Sequence, residues 1–286
     1  MKSLKKSILF LIMLCVAVNL IFAAGKKNKK VSTKSDIRIV SLGPSATEVI
    51  FAIGAQDLLI ARTDLCDYPP EAKNIPSVGG FAGNTLSLES IISFEPTLVY
   101  LFAEMHEGFV KPLQDLGIQV YRSNATSIEA VKNEILDIGK LTDHEKQAQK
   151  VVKEMDEKLS RTEKMYKAKV AASDGKLATV YWEVWHSPMM SCGKNSFMGD
   201  IIKCAGGQNI FADQEQAYPI INEEAVLLAN PDFIFYSGDG MGGGKPSELL
   251  KAKGGIYYMG DDDSFVRSTP RCADAVEKLA AILWNN

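Results

Sequence analysis

The chain has 286 residues, of which 46% are hydrophobic and 23% charged, and its formal net charge at pH 7 is -3. This length accommodates one large domain or two lobes, and the composition is that of a globular protein rather than a disordered or fibrous one. The slight negative charge argues against a nucleic acid as the partner.

The N-terminus has the pattern of a secretory signal peptide. Lysines within residues 2–6 precede a nearly continuous apolar run at residues 7–22, and small residues at 23–25 offer a cleavage site. We therefore predict a signal peptide over residues 1–24 and an exported protein. A retained membrane anchor is the alternative, because the apolar run is only a little shorter than a spanning helix. Lipidation at Cys15 is a weaker alternative, because no small residue stands just before it.

Four cysteines follow the predicted signal peptide. An even number of cysteines in an exported chain predicts one or two disulfides. The sequence leaves their pairing open; the four are Cys66, Cys192, Cys204 and Cys272. No metal site is predicted, because no Cys-x-x-Cys pattern occurs and the histidines are scattered.

The first strand is predicted at residues 37–42, and a polar turn at residues 43–48 then leads into a helix. Polar loops at the carboxyl ends of strands are where α/β sheets present ligand contacts. Ser45 is therefore a candidate ligand contact, with a plain helix cap as the simpler interpretation.

Two aromatic residues follow the second predicted strand. Tyr68 precedes two prolines, which fix an extended turn. Phe81 lies in the glycine-rich stretch 78–84, where it is either a loop plug or a ligand contact. The stretch has no phosphate-loop pattern, so nucleotide binding is not indicated.

One sequence unit occurs twice, at residues 88–100 and 223–235: an acid, a short apolar helix, a proline and a buried strand. The acids, Glu89 and Glu224, each lie seven positions before the proline. The repetition predicts two similar α/β lobes, with chance resemblance as the alternative.

Between the two copies, residues 144–172 contain neither glycine nor proline and have apolar residues at helical spacing. A coiled coil is disfavoured because sustained apolar heptads are missing. We predict a solvated helix joining the lobes.

These elements predict an α/β fold with two doubly wound lobes joined by one long α-helix. A polar tether occupies residues 25–36, the N-terminal lobe 37–142, the connecting helix 143–173 and the C-terminal lobe 174–286. The ligand cleft is expected between the lobes.

Aromatic residues at predicted strand ends fall near this cleft. They are Tyr68, Phe81 and Phe102 in the first lobe and Trp185 and Phe265 in the second. Polar groups such as Ser45 and Arg267 accompany them, so the crevice suits a large, flat, partly apolar ligand. Each aromatic taken singly could instead belong to a lobe core.

No catalytic residue is predicted, because the sequence has no nucleophile elbow and no His-Glu-x-x-His motif. Glu89 and Glu224 could be imagined as an acid/base pair. However, they begin helices on corresponding faces of separate lobes, which favours docking to basic sockets on a two-fold partner.

Five stretches keep the motif order of one family: residues 39–48, 66–72, 88–99, 204–211 and 269–271. They resemble the cobalamin-binding periplasmic proteins of ABC importers, whose wider superfamily also binds ferric siderophores and haem. The resemblance extends from Ile37 to Leu283. Phe81 and Phe102 stand where cobalamin binders can carry tryptophan.

The resemblance implies a monomeric solute-binding protein with limited hinge motion and no cofactor apart from its ligand. Cobalamin is the implied ligand, with a ferric siderophore or haem as the alternative. Glu89 and Glu224 are implied to dock on arginines of an inner-membrane permease dimer that works with an ATPase. The alternative functions for this architecture are those of a sensor or adhesion protein, or of a hydrolase or lyase with the same fold.

Overall fold

The structure, a computed structural model, describes residues 37–237, 244–260 and 262–285. The predicted signal peptide (1–24) and tether (25–36) lie outside the described residues. Within the part of the chain that is described, no helix is both long and apolar enough to cross a membrane.

The first lobe is built on a four-stranded parallel sheet. Its strands are β1 (Ile39–Ser41), β2 (Leu59–Arg62), β3 (Leu98–Phe102) and β4 (Gln119–Ser123), in the order β2-β1-β3-β4. The central strands β1 and β3 are buried almost throughout, as is expected of strands covered by helices on both faces.

Helices provide the crossovers that parallel strands require. In the first lobe the crossovers contain α1 (Pro44–Ala52), α2 (Leu88–Ile92) and α3 (Ala103–Asp115), and α4 (Ile128–Leu141) follows the last strand, β4. α1 begins at Pro44, whose fixed φ and missing N–H suit the first turn of a helix.

Helix α3 contains a break near its start. α3 begins at Ala103, and its backbone leaves the helical region at His106 (φ -114°, ψ 15°). Gly108 and Pro112 weaken the helical pattern on the far side of this break. At the break, His106 contacts the backbone carbonyl of Phe81, a tertiary contact that the local sequence does not reveal.

The predicted connecting helix is α5 (Glu145–Ala172), which has 28 residues and spans about 42 Å at the usual rise per residue. Its fully buried residues are Ala148, Met155 and Thr162, which form one narrow stripe along the helix. α5 packs against α4 of the first lobe and against the last helix of the second lobe. Partly buried apolar residues flank this stripe, among them Val151 and Leu159, and the opposite face of α5 is solvated.

The second lobe is built on a mixed sheet. Its strands are β5 (Ala178–Trp185), β6 (Met190–Ser191), β7 (Gly207–Asn209), β8 (Phe233–Tyr236) and β9 (Ile256–Tyr258). The order is β6-β5-β8-β9, with β7 also pairing with β5, and only the β5–β6 pairing is antiparallel. The sequence did not predict β6 and β7, because such short strands lack a readable alternation.

Three helices complete the second lobe: α6 (Phe197–Cys204), α7 (Glu223–Ala229) and α8 (Cys272–Trp284). The core of this lobe contains stacked aromatic rings. The rings of Trp182 and Phe235 lie 5.3 Å apart between centroids.

The predicted repeat is present in three dimensions. Helices α2 and α7 are capped in the same way, since Ser87 accepts a hydrogen bond from the backbone N–H of Ser90 and Asn222 from that of Ala225. The residue before each proline is left-handed, with φ 51° at Glu95 and φ 43° at Asn230. Each copy then enters a buried strand, β3 or β8.

The predicted disulfides are not formed in this structure. Cys66, Cys192, Cys204 and Cys272 are all free thiols. Burial raises the pKa of Cys192 to about 12 and that of Cys204 to about 11, so both thiols stay protonated at neutral pH. Among the described residues, no group of three or more His, Cys, Asp or Glu side chains is placed to hold a metal ion.

The packing of α5 against the second lobe can be tested by substituting Gly206. It has φ 79°, and the ring of Tyr166 on α5 lies 2.4 Å from the position that a Cβ would take. We expect Gly206→Ala to lower the free energy of unfolding by roughly 2–5 kcal/mol, the sum of left-handed strain and overpacking. Gly54, at φ 74° with open space around it, is the matched control, because Gly54→Ala adds only the strain of about 1–2 kcal/mol. Equal losses for the two variants in urea denaturation would contradict this packing role.

Candidate functional site

The predicted ligand contacts gather at the carboxyl ends of strands in both sheets. In the first lobe Ser45 follows β1, Tyr68 follows β2 and Phe102 ends β3. In the second lobe Trp185 ends β5 and Arg267 follows β9. Open α/β sheets bind ligands outside the carboxyl ends of their strands, so these are the edges at which a site is expected.

The two sheet edges meet at one buried carboxylate. The side chain of Glu48, on α1, is only 2% exposed. It accepts hydrogen bonds from Arg271, from Nε to Oε2 at 2.7 Å and from Nη2 to Oε1 at 2.8 Å. Arg267 Nη1 donates to the same Oε1 at 3.0 Å. One acid of the first lobe therefore holds two arginines of the second lobe, at the place where the sequence predicts the crevice between the lobes.

The loop after β2 belongs to the same cluster. Asp67 Oδ1 accepts a hydrogen bond from Arg267 Nη1 at 2.9 Å, and the Arg271 guanidinium lies 4.0 Å above the ring of Tyr68. Burial by itself would raise the pKa of Asp67, but the hydrogen bond and charge of Arg267 outweigh it and hold this pKa below its usual value. The ring of Tyr68 stays 44% exposed, so it is accessible beside the crevice.

Phe81 lies against the start of α1. Its ring is 3.2 Å from the position that a Cβ would take at Gly43, so glycine there leaves room for the ring. The turn before Phe81 uses Gly79 at φ 121°, a conformation that favours glycine. Ser45 and Phe81 are both half-buried at this corner of the first lobe.

The end of β5 is fixed by hydrogen bonds. Trp185 Nε1 donates to the carbonyl of Ser187 at 2.9 Å, and the side chain of Trp185 is half-buried. His186 Nδ1 lies 2.9 Å from Glu183 Oε1, and Glu183 also accepts from the hydroxyl of Tyr181. These contacts fix the backbone from which Trp185 projects.

Two of the ligand contacts predicted in the second lobe, Phe265 and Arg267, interact with other residues of the protein. Phe265 is 0% exposed, and its ring lies 5.4 Å from that of Trp182 between centroids, so it belongs to the lobe core. This burial does not support the prediction of Phe265 as a ligand contact, because no part of the side chain is exposed. The side chain of Arg267 is 14% exposed, and its guanidinium binds three carboxylates: Glu48, Asp67 and Asp263.

Tyr218 is a candidate crevice residue that the sequence reasoning left out. It is 44% exposed and lies two positions before Ile220, which bridges to Met190 of β6. Burial raises its pKa, and so do the nearby Cys192 and Glu104. Because Glu104 belongs to α3, the charge of the first lobe influences Tyr218 of the second. In the sequence, the feature that could have indicated Tyr218 is an aromatic residue directly before a proline, shortly before the capped helix α7.

The predicted docking acids lie on the surface. Glu89 and Glu224 are exposed in the first turns of α2 and α7. On α7, Leu227 and Leu228 are 44% and 88% exposed, so Glu224 stands beside an apolar surface.

The fold has counterparts in known proteins. The profile of the periplasmic binding protein family matches residues 39–255. The chain belongs to the periplasmic binding protein family.

Several relatives cover nearly the whole chain. The vitamin B12-binding protein of Photorhabdus laumondii is 29% identical over 261 residues, covering 87% of this chain and 89% of that protein. The uncharacterized ABC transporter substrate-binding lipoprotein YvrC of Bacillus subtilis is 32% identical over 269 residues, covering 90% of this chain and 83% of that protein. Among solved structures, the periplasmic vitamin B12-binding protein BtuF of Vibrio cholerae superposes with a TM-score of 0.74 at 26% identity, covering 86% of this chain and 96% of that chain.

Membership in the periplasmic binding protein family accounts for the architecture described above. Two α/β lobes are joined by α5, and residues from both lobes meet at the carboxyl edges of the sheets. In this periplasmic binding protein, Glu48 is the point at which the edges are tied together.

Proposed function

We propose that this protein is the solute-binding component of an ABC importer and that it captures cobalamin or a related corrinoid between its lobes. The observation that carries the proposal is the superposition on the vitamin B12-binding protein of Vibrio cholerae, with a TM-score of 0.74 over 86% of this chain. The corresponding protein of Photorhabdus laumondii, at 29% identity, supports the same ligand.

The composition of the crevice supports a large flat ligand. Its candidate aromatic contacts are Tyr68, Phe81 and Phe102 in the first lobe and Trp185 and Tyr218 in the second. Aromatic faces bury large apolar area, and a few polar groups such as Ser45 fix orientation. A corrin ring carrying amide side chains offers both kinds of surface.

The interactions of the arginines argue against an anionic ferric siderophore as the ligand. Each arginine that could bind such a chelate already has partners in the protein. Arg62 donates to backbone carbonyls, Arg122 binds Glu107, and Arg267 and Arg271 bind Glu48. A siderophore would have to compete with these bonds, whereas a neutral corrinoid amide would not.

In the proposed role the protein is exported, acts as a monomer in the periplasm and delivers its ligand to a membrane permease dimer with its ATPase. Glu89 and Glu224 are the proposed docking acids, since each stands exposed at the start of a matching helix, one in each lobe.

The ligand is tested by calorimetric titration of the purified full chain with cyanocobalamin, haem and a panel of ferric siderophores. We expect saturable binding of cyanocobalamin and weaker or no binding of the others. If only haem or only a siderophore bound tightly, that compound and not cobalamin would be the ligand of this protein. No binding of any of them would favour a sensor or adhesion protein.

The crevice itself is tested by removing one aromatic from each side. Phe102→Ala and Trp185→Ala should each raise the Kd for cyanocobalamin by roughly 10–30-fold, because a buried aromatic anchor typically contributes about 1.4–2 kcal/mol or more. Leu116→Ala is the control, since Leu116 is 57% exposed at the opposite end of α3. An unchanged Kd for both aromatic variants would place the ligand elsewhere.

A further inference from the structure

His106 is a buried polar residue that bonds to the backbone of Phe81 and of Phe102, two of the three aromatic candidates in the first lobe. The side chain is 0% exposed. Its Nε2 lies 2.8 Å from the backbone carbonyl oxygen of Phe81, and its Nδ1 lies 3.3 Å from the backbone nitrogen of Phe102. The imidazole also packs edge-on against the ring of Phe81, with 5.3 Å between centroids and 86° between planes.

The two backbone partners fix the protonation of the ring. The carbonyl of Phe81 can only accept, so Nε2 must carry a proton. The N–H of Phe102 can only donate, so Nδ1 must be unprotonated. His106 is therefore neutral in this arrangement, and only one tautomer satisfies both contacts.

The break in α3 brings the ring to this place. At His106 the backbone leaves the helical region, and Phe102 stands four residues earlier at the end of β3. The same ring thus links the end of a central strand to the glycine-rich turn 79–85, two segments that share no strand pairing.

We propose that His106 is the positioning residue that holds Phe81 and Phe102 in register on the first-lobe wall of the crevice. The role rests on the proposed function, since it concerns the wall against which the ligand would lie. His106 itself is fully buried and acts through the two phenylalanines.

Acid should weaken this arrangement. Burial lowers the pKa of His106, and the hydrogen bond to Phe81 offsets only part of that effect. Because the folded-state pKa lies below the unfolded value of about 6.5, the stability that the neutral ring contributes is lost as the pH falls below about 6.5. Protonation places an N–H at Nδ1 against the N–H of Phe102, which breaks that bond.

Charged and titratable groups around His106 do not supply an alternative cause. On α3 the neighbours Glu104 and Glu107 are exposed, and Glu107 pairs with Arg122 of β4. Glu89 of the adjacent α2 is exposed, and the turn 79–85 has no titratable side chain. The remaining groups on the adjoining strands are tyrosines that bond to acids of α4: Tyr100 to Glu134 and Tyr121 to Asp137.

Three substitutions separate the two bonds. His106→Asn keeps an acceptor where Nδ1 stands, His106→Gln keeps a donor that reaches towards Phe81, and His106→Leu keeps neither. At pH 7.5 we expect His106→Leu to raise the Kd of the full chain for cyanocobalamin roughly tenfold, the equivalent of one or two hydrogen bonds. The Asn and Gln variants should lie between it and the wild type.

The pH profile distinguishes positioning from a general loss of folding. The wild-type Kd should rise as the pH is lowered from 7.5 to 4.5, while the three variants should show no such rise. His144→Gln is the matched control, because His144 bonds to Thr142 at the start of α5 and should leave the wild-type profile intact. Wild-type affinity in His106→Leu, equal losses in all three variants, or a profile that disappears with His144 would overturn the proposal.

A second readout does not depend on any ligand. Hydrogen exchange of the Phe102 amide should be slow in the wild type and faster in His106→Leu and His106→Gln, but slow in His106→Asn. If the wild type binds no cyanocobalamin while exchange follows this pattern, the ligand assignment fails and the positioning role stands. Unchanged exchange in His106→Leu would end the positioning role.

Discussion

Glu48→Ala should lower the free energy of unfolding by about 3–5 kcal/mol, because removing one member of a buried ion cluster leaves its partners uncompensated. Glu48 is 2% exposed, and its two arginine partners are 14% and 23% exposed at the side chain. Both arginines come from the other lobe, so the loss should appear as a weaker association of the lobes as well as a lower Tm. Thermal and urea denaturation measure it.

A surface ion pair provides the comparison. Asp115 pairs with Lys111 on α3, and both side chains are well exposed. Asp115→Ala should lower the free energy of unfolding by no more than about 0.5 kcal/mol, as is usual for such pairs.

A double-mutant cycle tests the coupling between Glu48 and Arg271. Glu48→Ala combined with Arg271→Ala should lower the free energy of unfolding by less than the sum of the two single changes. A Tm of the Glu48→Ala variant equal to that of the wild type would show that Glu48 does not hold the lobes together.

Charge reversal at both proposed docking acids should reduce ligand uptake to background. In the double variant Glu89→Arg, Glu224→Arg, two exposed carboxylates become cations that would face basic sockets of the permease, and such like-charge contacts cost several kcal/mol. The Kd for cyanocobalamin should stay at the wild-type value, because both side chains are exposed and neither is among the proposed ligand contacts. Uptake and ATPase stimulation in reconstituted vesicles measure the effect.

The long helix offers a matched control for this experiment. Glu154 and Glu157 on α5 are exposed and sit 3.8 Å from lysines of the same helix. Reversing both should leave uptake unchanged, since α5 connects the lobes and is not a proposed docking surface. Loss of ligand affinity in the Glu89, Glu224 double variant would instead move those acids into the binding site.

The features that the sequence predicted correctly are local ones. The repeat could be predicted because caps, proline and apolar runs each depend on neighbours within a few residues, as at Asn222 and Asn230. The long helix α5 could be predicted because it has no helix breaker over 28 residues. The positions of Ser45, Tyr68 and Phe102 followed from strands ending just before or at them.

The features that the sequence missed depend on partners far along the chain. Arg267 and Arg271 lie 219 and 223 positions from Glu48, so nothing near them indicates that their charges are neutralised. Phe265 follows the same sequence pattern as an exposed aromatic in a polar loop, but in the fold it is buried in the core, where it packs beside Trp182. His106 is one of three scattered histidines, and only its folded contacts distinguish it.

The central claim is that the ligand lies between the carboxyl edges of the two sheets, and the structure of the cyanocobalamin complex tests it most directly. The corrin should lie between Phe81 and Phe102 of one lobe and Trp185 and Tyr218 of the other, with the Glu48 cluster at the base of the crevice. A corrin bound outside this crevice, for example in the 340 Å³ pocket beside Lys203 and Gln208 of the second lobe, would contradict the account.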